Sequence, residues 1–94
     1  MSAKQMVGAI LAALLASCNS APVQEMSDAR QAIRAAEEAG ARQHAPVRLS
    51  TAEALLHKAE SSLSGGAYFD ARRYALEALE TAIDARESAA AIGQ

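Results

Sequence analysis

The stretch Ala71-Arg72-Arg73-Tyr74-Ala75-Leu76-Glu77-Ala78-Leu79-Glu80-Thr81-Ala82-Ile83-Asp84-Ala85-Arg86-Glu87-Ser88-Ala89 decides the fold class. Ala71, Ala75, Ala78, Ala82, Ala85 and Ala89 recur at alternating four and three residues, the spacing of one face of an α-helix. Leu76, Leu79 and Ile83 form an adjoining stripe, and Arg73, Glu77, Glu80, Asp84 and Glu87 occupy the opposite side. The apolar arc thus approaches half the circumference, and such an arc contacts two helices at once. A helix over about 68–91 therefore needs two partners, and the small side chains let them approach closely.

Those partners lie upstream. Leu49, Ala52, Leu56, Ala59 and Leu63 repeat at three, four, three and four, with Leu55 beside them and Glu53, His57, Glu60 and Ser61 on the far side. Gly65-Gly66 ends this helix, and Pro46 suits its first turn. Met26, Ala29, Ile33 and Ala36 mark an earlier amphipathic helix, with Ala32 and Ala39 widening its stripe and Gly40 as its cap. Residues 40–46 read as a connector. No strand pattern is present. The expectation is an all-α fold, either a small antiparallel three-helix bundle or a helical hairpin with the first helix packed across it.

Composition limits the rest. After position 17, twenty residues are Ala and fifteen are larger apolar side chains, so the core buries little area and the domain is marginal alone. Nine Lys and Arg against eleven Asp and Glu give a formal charge of −2. Nucleic-acid binding rests on clustered cations that neutralise phosphates, and a mildly acidic chain lacks them. With no Trp, one Phe and two Tyr, the chain also lacks the stacking surfaces usual in sugar and nucleobase sites.

At the N-terminus, Lys4 and the start amine precede an uncharged apolar run from Met6 to Ala16. Eleven residues of helix reach roughly 16 Å, short of a hydrocarbon core of about 30 Å. The segment reads as a signal peptide over 1–17. The chain's one cysteine, Cys18, cannot form an internal disulfide. Leu15-Ala16-Ser17-Cys18 resembles the lipobox of bacterial lipoproteins. The resemblance implies cleavage between Ser17 and Cys18 and attachment of diacylglycerol to the Cys18 sulfur, with acyl chains enough for stable anchoring. In Gram-negative lipoproteins an Asp after the cysteine commonly retains the protein in the inner membrane. Asn19-Ser20 stands here, which implies sorting to the outer membrane, facing the periplasm, with the inner membrane as the alternative. Residues 18–24 then form the lipidated cysteine and a short tether, and 25–94 the helical domain.

Two further resemblances concern that domain. Gly66-x-Tyr68-x-x-Ala71, with Ala78 seven residues on, resembles the helix junction of a tetratricopeptide repeat, in which Tyr fills the angle between helices. The match covers one repeat, too few for a solenoid. More broadly, the lipobox, Ala39-Gly40-Ala41, Ala45-Pro46-Val47-Arg48-Leu49 and Gly66-Ala67-Tyr68-Phe69-Asp70-Ala71-Arg72 resemble short Gram-negative lipoproteins of one domain-of-unknown-function family, of the 4398 type. That family supplies no settled activity.

Chemistry-bearing residues are few. His44 falls in the connector and His57 on a polar face, with no second ligand at metal spacing, so neither a metal site nor a cofactor is expected. Ser61, Ser62 and Ser64 lack a base, and no nucleophile or acid-base pair is found, so an enzyme is not expected. Glu77, Glu80, Asp84 and Glu87 spread over three turns and read as a solvated face. Arg72 and Arg86 project toward the Leu79 side of the apolar arc, where they snorkel at its rim or pair with a partner's acid. Tyr68, Arg72 and Arg86 are accordingly the candidate partner-binding residues. The functional expectation is a non-enzymatic lipoprotein, held to the membrane through Cys18, that binds a protein partner or associates with itself. The alternative is a tetratricopeptide-like adaptor for a peptide or an envelope complex.

Overall fold

The computed structural model describes residues 21–92. Within them the chain forms α1 (Val23–Glu38), α2 (Ala41–His44), α3 (Pro46–Ser64) and α4 (Tyr68–Ile92), packed as a helical bundle with no strand among the described residues. The all-α expectation holds: α4 packs extensively against both α3 and α1, which meet one another far less.

One core cluster joins Ile33 and Ala36 late in α1, Leu49 and Ala52 early in α3, and Ala82, Ala85 and Ala89 late in α4. A second joins Met26 early in α1, Ala59 late in α3 and Ala75 early in α4. These groupings require α3 to run antiparallel to both α1 and α4, which are parallel to each other. Leu56 packs against both clusters and links them.

Alanine dominates the interior. Of fifteen buried apolar residues in the described chain, twelve are Ala, and the others are Met26, Ile33 and Leu49. The whole stripe Ala71, Ala75, Ala78, Ala82, Ala85 and Ala89 is fully covered. The methyl side chains of α4 form one smooth side of these contacts, and the larger side chains come mostly from its partners, as Met26 and Ile33 of α1 and Leu49 and Leu56 of α3. The adjoining Leu76 and Ile83 do not join this contact. They are 43% and 41% exposed, so the alanine stripe alone meets both partners and the expected wide arc is narrower in use than in composition.

Two turns set the antiparallel path. Gly40 (φ 89°) follows α1, and its N–H donates to the Glu37 carbonyl at 3.0 Å. Gly66 (φ 79°) follows α3, where its N–H donates to Leu63 O at 3.0 Å and the Ala67 N–H donates to Ser62 O at 2.8 Å. This pair of bonds satisfies carbonyls that the helix end would leave open, and left-handed φ makes glycine the suitable residue.

Boundaries differ from the sequence expectation in two places. Residues 40–46 contain the single-turn helix α2, because the N–H groups of Gln43 and His44 both reach back to Gly40 O and Ala41 is fully buried. Pro46 opens α3, as its fixed φ allows. The expected tether over 18–24 is shorter than anticipated on the domain side: α1 begins at Val23, and Pro22 is packed away from solvent.

Candidate functional site

The residues assigned to lipidation, cleavage and sorting, Ser17, Cys18, Asn19 and Ser20, lie outside the described residues. The candidate surfaces of the domain are two sides of α4.

On the side facing α3, Tyr74 is half-buried and packs against the cluster of Met26, Ala59 and Ala75. Cations flank its ring: the Arg73 guanidinium carbon lies 4.5 Å from the centroid and Lys58 Nζ 5.8 Å. Arg73 also reaches Glu77 Oε1 at 3.4 Å and Asp70 Oδ1 at 3.7 Å. Its guanidinium is held above its ordinary pKa, first by a side-chain hydrogen bond with Tyr74 and then by the charges of Tyr74, Glu77 and Asp70, against a desolvation effect of opposite sign. Arg73 therefore stays charged at every pH the fold meets. A shallow groove of about 480 Å³, lined by Ala54, His57, Lys58, Ser61, Ser62 and Tyr74, opens beside this ring. Sequence reasoning passed over Tyr74. The signal was present, since Tyr74 lies three residues after Ala71 and four before Ala78, the spacing of the buried face.

On the side facing α1, Arg72 Nε lies 3.6 Å from Glu25 Oε1, with both side chains about one-third exposed. Tyr68, the first residue of α4, is 41% exposed. Arg86 is exposed further along the helix. Leu79 is partly covered, and Phe69, Leu76 and Ile83 are exposed on the same side of the helix, as their sevenfold spacing requires. Arg72 thus meets an acid within the chain, and neither it nor Tyr68 lines the groove between α3 and α4.

The remaining candidates are placed as follows. His57 is exposed at the groove, and His44 is partly buried, with its ring close enough to Gly40 that a Cβ there would sit 3.3 Å from Cδ2. Glu77 pairs with Arg73, while Glu80, Asp84 and Glu87 are exposed. Among the described residues no three His, Cys, Asp or Glu side chains are grouped to hold a metal ion, and no helix is long and apolar enough to cross a membrane. At the α1–α3 corner, Arg42 bridges Glu37 at 3.1 Å and Glu53 at 3.6 Å, all three well exposed.

Residues 24–92 match the model of a family described as Domain of unknown function (DUF4398). No curated protein and no solved structure matches the chain.

Proposed function

The chain belongs to the DUF4398 family, and from that premise we propose that it is a non-enzymatic bacterial outer-membrane lipoprotein whose helical domain acts in the periplasm as a structural or protein-interaction module. The observation that carries this reading is Leu15-Ala16-Ser17-Cys18 at the end of an uncharged apolar run. Its distance from the domain adds support: α1 begins at Val23, five residues after Cys18. Extended chain spans at most about 3.6 Å per residue, so an anchored Cys18 keeps the bundle within roughly 18 Å of the lipid headgroups. Acyl chains on the sulfur and on the new amine make that attachment stable where a single chain would not.

Labelling cells with radioactive palmitate tests the anchor. The wild type takes up label and Cys18→Ala does not; equal labelling of the two overturns the reading. Membrane fractionation tests the sorting assigned to Asn19-Ser20, and recovery in the inner membrane overturns that part alone. The adaptor reading draws on the open groove beside Tyr74 and its two cations. Photocrosslinking from Lys58 and Tyr74 in intact cells recovers a partner under that reading, and recovery of none overturns it.

A further inference from the structure

The outer side of α4 carries a second repeat that the bundle core does not use. Phe69, Arg72, Leu76, Leu79, Ile83, Arg86 and Ala90 follow one another at three and four residues in strict alternation, the seam of a two-stranded coiled coil. Phe69 is 77% exposed, and Leu76 and Ile83 are each more than two-fifths exposed. We propose that this seam is an interface between two copies of the chain, paired antiparallel about a twofold axis near Leu79 and Glu80.

Self-complementarity at that register selects both the occupant and the direction. Leu76 faces Ile83 of the second copy, Leu79 packs beside the other Leu79, and the large Phe69 faces the small Ala90. Along the outer flank, Arg73, which within one chain reaches Glu77 and Asp70, comes level with Glu87 of the second copy, and the symmetry repeats the pair. The seam arginines are also compensated. Arg86 arrives level with Arg72 of the other copy, where Glu25 already lies 3.6 Å from Arg72 Nε, so one carboxylate stands between two guanidiniums. Glu80 meets its own copy at the axis, a like-charge contact at an exposed position that salt screens. A parallel pair keeps apolar contacts at Leu76, Leu79 and Ile83 but loses the rest: Phe69 meets Phe69, each seam arginine meets itself, and the flanking Arg73 and Glu87 face the alanines of the core stripe. Isologous contact about a twofold axis is the common closed form of association.

The test is disulfide crosslinking of the full chain in cells, with the wild type as control for Cys18. Leu76→Cys and Ile83→Cys, both at partly exposed positions, are expressed singly and together. The antiparallel register yields a dimer band from the co-expressed pair and none from either alone. Dimers from the single variants indicate a parallel pair and overturn the register; no crosslink in any arm overturns the interface. A second measurement uses charge reversal at exposed positions in the same background. Arg73→Glu or Glu87→Arg alone reduces the dimer band and the double reversal restores it, whereas equal bands in all three overturn the assigned pairing. Circular dichroism that is unchanged across the set shows that the monomer fold is common to every arm.

Discussion

The amide of Ala67 donates to the carbonyl of Ser62 over 2.8 Å, across a turn in which Gly66 is left-handed and Gly65 is not. The two neighbouring glycines therefore respond oppositely to a methyl group. Gly66 has open space around it but φ of 79°, so Gly66→Ala costs about 1–2 kcal/mol from the backbone alone. At Gly65, with φ of −84° and only ordinary contacts to Ser61 O and Ser62 O, Gly65→Ala gains about 0.4–1 kcal/mol by restricting the unfolded chain. Thermal unfolding of the two variants checks this, and melting shifts of the same sign contradict it.

Ala82 and Leu76 form a second contrast, across the width of α4. Ala82 is completely buried among Ile33, Ala36 and Leu49, so Ala82→Leu inserts three carbons where two helices converge and costs about 1–3 kcal/mol or more. Leu76→Ala removes a side chain that is 43% exposed and lowers monomer stability by less than about 1 kcal/mol. Urea titration at low protein concentration separates the two, because dimerisation is then negligible.

Among the described residues Met26 is one of only four buried ones larger than alanine, with Pro22, Ile33 and Leu49, and it belongs to the smaller core cluster with Ala59 and Ala75. Met26→Ala leaves a cavity beside Ala59 and Ala75, with a cost of about 2–5 kcal/mol. In a marginal domain that loss unfolds the chain near physiological temperature. Measured denaturation midpoints for Met26→Ala and Met26→Leu check the origin of the effect, since Met26→Leu keeps the volume and costs under about 1.5 kcal/mol.

Arg48 donates a 2.6 Å hydrogen bond to Ser88 Oγ, joining the start of α3 to the end of α4. The pair is largely exposed, so Ser88→Ala costs about 0.5–1.5 kcal/mol. Amide hydrogen exchange localises the consequence: protection falls in the last turns of α4 and the first turn of α3, and uniform loss across all helices contradicts it.

The alanine stripe of α4 was readable residue by residue, because 3.6-residue periodicity leaves few other positions for a buried face. The buried positions of α1 were legible on the same ground, as were Leu49, Ala52 and Ala59 of α3. Hydropathy misled where it ranked Leu76 and Ile83 as core. With two helices converging on one line of α4, only methyl groups fit along it, and the larger apolar residues fall to the flank. The single turn α2 was hidden because Gly40, Ala41 and Pro46 carry turn chemistry that a four-residue helix shares. Tyr68 carries the recognisable motif, but it is Tyr74, at the spacing set by Ala71 and Ala78, that lines the groove. The proposed anchor rests on the sequence Leu15-Ala16-Ser17-Cys18 alone.

A row of methyl groups is a smooth rail. Bulky side chains notch two helices together and hold them against sliding, whereas the six alanines of α4 present nearly the same surface after a shift of one turn. Axial position must then be fixed at the ends: by Met26 and the Arg72–Glu25 contact at one, and by Leu49 and the Arg48–Ser88 bond at the other. Loosening a single end would let α1 or α3 glide along α4 without exposing its buried face, so length changes of one helical turn cost this bundle less than they would cost a bundle of leucines.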